Sequence, residues 1–316
     1  MIRMPSDTFT GPLPPFTEEE RRLEQELRTY VQHLAGQIGE RNLFRYKQLV
    51  AAATYIRTTL TTAGYEVHRH TYDVAGQASE NLEAELLGTD KPDDIVVIGA
   101  HYDSVHGSPG ANDNASGVAA MLALARALVR TKPAGTMRFV AFTNEEPPFS
   151  YSRHMGSRLY AQRCRARKER ISLMLSLETI GSYSDQPGSQ HYPFPFGFFY
   201  PSRANFIAFV SNREHAPWVK RLLTSFRRHA QFPSEGGALC EWIPGVAWSD
   251  HWSFWKAGYP AVMVTDTAYN RYAHYHRATD TPDKVDFSHM ARVVSGLQRV
   301  IGELATDEYR GVCSSR

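Results

Sequence analysis

The stretch that most constrains the fold covers residues 96–117, where a short apolar segment passes directly into polar side chains. Residues 95–98 are continuously apolar, as expected for a strand buried inside a covered sheet. His101 and Asp103 follow at once, and Asp113 comes in a turn rich in glycine and asparagine. Open α/β sheets build their sites at the carboxyl ends of strands in this way. The stretch therefore predicts a sheet with a polar site at one edge.

Segments with strand and helix periodicity alternate along most of the chain. Helices are expected at residues 17–39, 46–63, 116–130, 155–170, 216–229, 249–257 and 287–304. Strands are expected at residues 65–74, 80–87, 95–100, 137–142, 171–180, 206–210 and 261–265. This alternation implies an α/β fold with a mostly parallel central sheet covered by helices on both faces. Because no repeat or linker is visible, we expect one domain over residues 1–316, with an N-terminal helical extension over residues 1–40.

Charge and hydropathy argue against several kinds of partner. The net charge is only +2, which favours neither nucleic acid nor an anionic membrane as a partner. No apolar run approaches the roughly 20 residues needed to span a bilayer. The first residues lack the apolar core of a signal peptide. We therefore expect a cytoplasmic protein, or a secreted one if an export signal was removed, and the oligomeric state stays open.

The cysteines exclude one class of metal site. Cys164, Cys240 and Cys313 form neither a disulfide framework nor a Cys-x-x-Cys pattern, and we expect free thiols. Any metal in this protein must therefore be bound by histidine, aspartate and glutamate.

Imidazoles and carboxylates recur at the ends of predicted strands and in one further segment. They are His101 and Asp103, Glu145 and Glu146, Glu178, and the segment His274, Tyr275 and His276. One such residue alone is usually a surface or capping residue. Their repetition favours a divalent metal site, because these side chains are the oxygen and nitrogen ligands that zinc accepts.

The Glu145–Glu146 pair is the most informative of these. Adjacent carboxylates after a buried strand repel each other and raise their own pKa values. A metal relieves this repulsion if one carboxylate binds it, and the other then remains free as a general base. The alternative interpretation is an exposed acidic turn.

His101 and Asp103 lie two residues apart, so in an extended chain their side chains point the same way. The imidazole can bind a metal while the carboxylate accepts its other ring N–H, unless the two form only an ion pair at a strand end. Asp113 could bridge two metals with its two oxygens. Neighbouring Asn and Ser side chains could cap the next helix or hold the Asp113 carboxylate in place. Only one histidine of the segment at residues 274–276 is needed as a ligand; the alternative there is a polar loop.

Five segments, in this order along residues 80–305, resemble the co-catalytic two-zinc aminopeptidases of metallopeptidase clan MH. This clan also includes glutamate carboxypeptidase, the transferrin-receptor ectodomain and the related glutaminyl cyclases. The segments are GAHYDSVHGSPGANDNASGVAAMLALAR, FVAFTNEEPP, MLSLETIGSYS, SDHWSFWKAGYPAVMVTDTA and HYHRATDTPDKVDF. The resemblance implies the zinc-exopeptidase-like (phosphorylase/hydrolase-like) α/β fold and a hydrolase acting on peptide or aminoacyl substrates.

The resemblance also implies two Zn²⁺ and a set of ligands for them. The first zinc would be held by His101, Asp113 and Glu178, and the second by Asp113, Glu146 and His276. Clan members usually carry aspartate where this chain has Glu178, so we expect the first site to be shifted, weak or filled by another divalent metal. The remaining roles fall to Glu145 as general base and acid, Asp103 as the group that orients His101, and Tyr275 as a support for the tetrahedral intermediate. The segment around Trp248, Asp250 and His251 is expected to be structural rather than catalytic.

The expected reaction is hydrolysis of an N-terminal peptide bond by a water activated between the two zinc ions. Two alternatives stay open: a single-zinc glutaminyl-peptide cyclotransferase with nearly the same ligands, and a binding relative that has lost its metals. Residues 183–202, rich in proline, glycine and aromatic residues, are expected to form a long ordered loop. With Trp242 or Trp248, its aromatic part from Tyr192 to Tyr200 could line an apolar side-chain pocket, or it could simply cover the surface.

Overall fold

A single eight-stranded sheet forms the centre of the molecule. The computed structural model describes residues 4–306. The strands are β1 (Val67–Val74), β2 (Gln77–Leu86), β3 (Lys91–His101), β4 (Gly135–Phe142), β5 (Arg170–Glu178), β6 (Ile207–Asn212), β7 (Ser234–Leu239) and β8 (Ala261–Thr265). Their spatial order is β1-β2-β4-β3-β5-β8-β6-β7.

Seven α-helices accompany the strands within the described residues. They are α1 (Glu18–Val31), α2 (Tyr46–Ala63), α3 (Gly117–Leu128), α4 (Gly156–Ala166), α5 (Ala216–His229), α6 (His251–Lys256) and α7 (Phe287–Ala305). A π-helical segment, Gln32–Ile38, follows α1 directly. None of the described helices is both long enough and apolar enough to cross a membrane.

The four central strands β4, β3, β5 and β8 run parallel to one another. Their carboxyl ends therefore meet at one edge of the sheet. β6 pairs with β8 in the antiparallel sense and β7 pairs with β6 in the parallel sense, so the amino ends of β6 and β7 reach that same edge. This arrangement confirms the predicted mostly parallel sheet and determines which side chains can meet.

Two apolar layers cover the faces of the sheet. Helices α2, α3, α5 and α7 pack on one face, and α4 and α6 pack on the other. Successive residues of β3 alternate between these layers: Val96 and Ile98 face the larger core, whereas Ile95 and Val97 face the smaller one. α1 packs against α3 and α7, and it buries Leu27 and Val31. The assignment of residues 1–316 to one domain stays a prediction.

Helix boundaries follow from local chemistry where capping residues are present. Thr17 accepts from the backbone N–H of Glu20 while the Glu20 carboxylate accepts from that of Thr17, which is a reciprocal capping box at the start of α1. Gly64 ends α2 with a φ of 111°, a left-handed conformation that glycine adopts without strain. The expected helix at residues 46–63 is confirmed at both ends.

The sequence-based prediction omitted β7. Its sequence, Ser-Glu-Gly-Gly-Ala-Leu, has two glycines and no β-branched residue, and strands are normally depleted in glycine. Tertiary packing explains the glycine: a Cβ at Gly236 would lie 2.9 Å from a side-chain atom of Leu223 in α5. Pairing with β6 and this close approach of a helix therefore form a strand that local propensity does not favour.

The expected free thiols are confirmed for two of the three cysteines. Cys164 is buried and free, and Cys240 is partly exposed and free. Cys313 lies outside the described residues.

Candidate metal centre

The carboxyl edge of the sheet collects the polar side chains that the sequence singled out. His101 is the last residue of β3, Glu178 is the last residue of β5, and Glu145 and Glu146 follow β4 by a few residues. These three strands are neighbours in the sheet. Asp113 reaches the same point from the loop that leaves β3, because that loop returns toward the sheet before α3 begins.

His101 lies close to three carboxylates at this edge of the sheet. Its Nε2 is 3.2 Å from Glu178 Oε2, 3.5 Å from Asp113 Oδ1 and 3.7 Å from Glu145 Oε2. One ring N–H cannot satisfy three acceptors at once. Ligand atoms of His101, Asp113 and Glu178 all lie within 4.8 Å of one another, a spacing that could hold a metal ion.

Asp113 also belongs to a second group. Its Oδ2 is 3.1 Å from His276 Nε2, and the same nitrogen is 3.3 Å from Glu146 Oε2. Asp113 therefore presents one oxygen to His101 and the other to His276, which is the arrangement of a bridging carboxylate. The structure thus brings together the five predicted ligands from four separate stretches of chain.

Electrostatics at this centre favour a cation. Burial and the nearby Asp113 raise the pKa of Glu146 to about 7. Burial alone would lower the pKa of His276, but its contacts with Asp113 and Glu146 outweigh burial and raise that pKa to about 11. Glu146 Oε1 is buried without any hydrogen-bond partner among the described residues. A divalent ion would neutralise these carboxylates and occupy the unpaired oxygen, so the residues present fit a metal centre of oxygen and nitrogen ligands.

Glu145 lies beside this centre and is slightly more exposed than Glu146. Burial, followed by the charges of Glu146 and Glu178, holds the pKa of Glu145 well above its usual range. A carboxylate with a raised pKa can accept and return a proton near neutral pH. Glu145 also lies within ligand distance of His101 and Glu146, so geometry alone allows it to be a ligand or a base.

Asp103 has a role that the sequence did not reveal. Its backbone oxygen is 3.2 Å from His101 Nδ1, and its carboxylate is 3.5 Å from that nitrogen. The same carboxylate accepts the backbone N–H groups of Glu145 at 3.2 Å and of Glu146 at 3.1 Å. Asp103 therefore connects the end of β3 with the turn after β4 and holds both glutamates in place.

Asp280 supports Asp113 from the far end of the chain. One carboxylate oxygen accepts from the Asn112 backbone N–H at 2.9 Å and from the Tyr272 hydroxyl at 2.7 Å. The other accepts from the Asp113 backbone N–H at 3.1 Å. Asp280 lies in one of the five segments that carry the resemblance, but the sequence alone assigned it no role. Its position four residues after the predicted ligand His276 was the one signal that pointed to it.

Arg41 is a second group that the sequence did not reveal. The residue is fully buried, and its guanidinium donates to the backbone oxygens of Tyr102, Pro109 and Gly110. Burial lowers the pKa of Arg41 to about 10, although Asp280 and other nearby carboxylates oppose this shift. Arg41 therefore braces the loop between His101 and Asp113. No pattern around residue 41 indicates this, because these three backbone acceptors are 61 to 69 residues away along the chain.

We expect Arg41→Met to lower the free energy of unfolding by about 3 kcal/mol or more. Methionine retains much of the apolar stem but leaves buried carbonyl oxygens without a donor, at about 1–3 kcal/mol each. Urea denaturation measures the change. Arg45→Met is the matched control, because Arg45 is exposed and pairs with Glu40 at the surface, a contact worth less than about 1 kcal/mol. Equal effects of the two substitutions would contradict the bracing role.

The segment before α6 contacts Glu178 directly. The Ser249 hydroxyl donates to Glu178 Oε2 at 2.7 Å and lies 3.0 Å from the Ser176 hydroxyl. Asp250 and His251 are fully buried, and His251 Nε2 is 2.8 Å from the backbone oxygen of Val246. Ser249 thus orients the glutamate that stands where clan members usually carry aspartate.

The two histidines of the segment at residues 274–276 point to different surroundings. His274 Nδ1 lies 2.9 Å from the Thr279 hydroxyl, away from the carboxylates. His276 faces Asp113 and Glu146, and the ring of Tyr275 stacks on its imidazole at 4.0 Å. Burial, and then the carboxylates of Asp113 and Glu146, raise the pKa of Tyr275 well above its usual range. The Tyr275 side chain therefore lies near the centre as a neutral hydroxyl.

A largely apolar pocket opens next to Glu178. The loop at residues 183–202 contributes Tyr192, Phe196 and Tyr200 to its wall, and Trp248 lies on another side. Of the two alternatives left open for this loop, the structure supports the one in which it lines a pocket. Trp242 does not line it and is 81% exposed.

Comparison with known proteins gives a family match over most of the chain. A model described as Peptidase family M28 matches residues 81–301. The chain is 35% identical over 283 residues to the uncharacterized protein YfbL of Escherichia coli (strain K12), with 86% of each chain covered. It is 28% identical over 219 residues to a probable leucine aminopeptidase of Arthroderma otae, covering 64% of this chain but only 52% of that protein.

Solved structures share the fold at lower sequence identity. BSAP, a zinc aminopeptidase from Bacillus subtilis, superposes with a TM-score of 0.73 at 15% identity, covering 95% of this chain and 97% of that one. The glutaminyl cyclase of Bacteroides thetaiotaomicron superposes with a TM-score of 0.67 at 17% identity, covering 92% and 99%. At these identities the likeness shows the fold alone, which an aminopeptidase and a cyclase have in common.

Proposed function

The chain belongs to peptidase family M28, and we propose that it is a zinc-dependent aminopeptidase that hydrolyses N-terminal peptide bonds. The observation that carries the proposal is the convergence of the five predicted ligands, with Asp113 facing both His101 and His276. In this proposal, His101, Asp113 and Glu178 would hold one zinc ion, and Asp113, Glu146 and His276 would hold the other. Bound there, the ions would lower the pKa of a water molecule and polarise the substrate carbonyl.

Side chains of the protein carry out the proton transfer, stabilise the oxyanion and bind the substrate amine. Glu145 takes the proton of the water molecule and delivers it to the departing amine, which its raised pKa permits. Glu146 has the closer contact with His276, so we assign Glu146 as the ligand and Glu145 as the base. The Tyr275 hydroxyl donates to the developing oxyanion, for which a neutral phenol is required. The free α-amine of the substrate is attracted by the surplus of carboxylates, which favours removal of N-terminal residues.

The proposal is tested with aminoacyl nitroanilides, glutaminyl peptides and metal analysis on one preparation. We expect hydrolysis of the nitroanilides that is abolished by a chelator and restored by zinc, with two ions per chain in the active protein. Cyclisation of glutaminyl peptides with a single ion would instead identify a cyclotransferase. Absence of both reactions with zinc supplied would indicate a binding relative and contradict the enzymatic proposal.

We expect Asp280→Asn to weaken metal binding by about 10- to 100-fold, the usual range when a group supporting a ligand is changed. The substitution replaces one carboxylate oxygen with an amide nitrogen, which cannot accept the backbone N–H of Asp113 or Asn112. Competition with a chromogenic chelator measures the affinity. Asp283→Asn is the control, because Asp283 is exposed and pairs with Lys284. Unchanged affinity in Asp280→Asn would show that Asp113 needs no such support.

A further inference from the structure

The pocket beside the metal centre contains a second carboxylate, Glu235, at its far end. Strand register determines where it lies. Glu178 of β5 pairs with Thr265 of β8, Thr265 pairs with Ala208 of β6, and Ala208 pairs with Glu235 of β7. Directly paired residues point to the same face of a sheet, so all four side chains rise from the floor of the same pocket. One end of this row is a candidate metal ligand and the other is Glu235.

Residues with short side chains form the pocket floor between Glu178 and Glu235. Thr265 and Ala208 have short side chains, and Gly237, two residues after Glu235 on the same face, has none. Tyr192 and Tyr200 stand along the wall. A substrate side chain that starts at the metal centre can therefore extend across the sheet toward Glu235, with its stem between the small floor and the aromatic wall.

The Glu235 carboxylate makes no hydrogen bond and no close ion pair with any other residue in the described range 4–306. The donors near it are already engaged. Arg227 donates to Ser234 and to the backbone of residues 5 and 6, the Tyr200 hydroxyl donates to Gly236, and the Tyr192 hydroxyl donates to Pro201. Burial raises the pKa of Glu235, and the charge of Arg227 only partly opposes this. A partly buried carboxylate without a partner is costly and is stabilised when a cation approaches.

We propose that this pocket binds the side chain of a basic N-terminal residue, lysine or arginine, and that Glu235 is the specificity-determining residue. The inference rests on the proposed aminopeptidase function and names its substrate class. The apolar stem of the side chain packs on the tyrosine wall, as the stems of long cationic side chains do, and its charged end pairs with Glu235.

The distances agree with this assignment. Three strand spacings of about 4.8 Å separate Glu178 from Glu235, or about 14 Å, and strand side chains stand roughly perpendicular to the sheet. An extended lysine spans about 7–8 Å from its α-amine to its ζ-amine at bond lengths near 1.5 Å. A hydrogen bond of about 2.9 Å at each end brings the total close to the separation of the two carboxylates. A leucine side chain is too short to reach Glu235 and would leave that carboxylate partly buried without a partner.

The test compares two substrates that differ only at the end of the side chain, lysyl- and norleucyl-p-nitroanilide. Norleucine has the lysine stem without the ζ-amine. For the wild-type holoenzyme we expect kcat/KM to favour lysine by about 10-fold or more. In Glu235→Gln we expect kcat/KM for lysine to fall about 10- to 100-fold, the range for loss of a charged hydrogen bond, while norleucine changes less than about threefold. The norleucine rate shows in the same sample that the variant is folded and loaded with metal.

Two controls complete the test. Glu241→Gln removes a carboxylate that pairs with Lys256 outside the pocket, so it should leave the ratio of kcat/KM for the lysyl and norleucyl substrates unchanged. Glu235→Leu should lower kcat/KM for the lysyl substrate as Glu235→Gln does, and it should raise kcat/KM for the norleucyl substrate. This inference is overturned, while the aminopeptidase proposal stands, if the wild-type enzyme hydrolyses the norleucyl substrate with no preference for the lysyl one. It is also overturned if Glu235→Gln leaves the ratio of the two kcat/KM values unchanged. Failure to hydrolyse any aminoacyl substrate overturns both.

Discussion

Glu145→Gln is expected to lower kcat for aminoacyl nitroanilides by about 1,000-fold, within the 10²- to 10⁴-fold range typical of a lost general base. Glutamine has the size of glutamate but cannot take a proton from water. The backbone N–H groups of Glu145 and Glu146 both donate to the Asp103 carboxylate, and Glu146 has the closer contact with His276, so the ligands should remain in place. Steady-state kinetics and metal analysis on the same sample measure both consequences.

The metal content separates the two roles that geometry allows for Glu145. If Glu145 is the base, the variant retains the wild-type metal content; if it is a ligand, the content falls together with activity. Glu66→Gln, at an exposed position of the same residue type, controls for loss of one charge. Near-wild-type turnover in Glu145→Gln would remove this residue from the mechanism.

His276→Ala is expected to reduce the metal content from about two ions per chain to about one and to lower hydrolysis at least 100-fold, because a two-metal site polarises the carbonyl and activates water jointly. His276 contacts two of the predicted ligands directly, since its Nε2 lies 3.1 Å from Asp113 and 3.3 Å from Glu146. Alanine removes that ligand atom and leaves the other group, His101, Asp113 and Glu178, complete. Metal stoichiometry after gel filtration measures the loss.

His274→Ala is the matched control, two residues away on the same loop. His274 contacts Thr279 and lies outside both ligand groups, so its removal should leave the metal content unchanged and activity within about threefold of wild type. If His274→Ala loses the metal and His276→Ala retains it, the assignment of the second histidine is wrong. If neither loses metal, a centre containing this loop is excluded.

Local pattern determined much of the fold. Apolar periodicity and capping chemistry predicted α2 at residues 46–63 and the strand at residues 261–265 with the bounds that the structure has. The rule that parallel strands carry their sites at the carboxyl end predicted where His101, Glu145 and Glu178 would meet. Each of these inferences uses residues within a few positions of one another. The roles of the site residues stay predictions until the variants are measured.

The rest depended on contacts between residues far apart in the sequence, which no local pattern encodes. The hydrogen bonds of Asp280 to residues 112 and 113, and of Arg41 to Tyr102, join positions separated by 168, 167 and 61 residues. The glycines of β7 disfavour a strand locally, yet pairing with β6 and packing against α5 impose one. That register aligns Glu235 with Glu178 across four neighbouring strands. The sequence by itself thus determined which chemical groups gather at the sheet edge. Only the tertiary structure decided which residues hold those groups in place and that Glu235 lies across the pocket from Glu178. The reason is that packing and strand pairing, rather than distance along the chain, determine which residues meet in space.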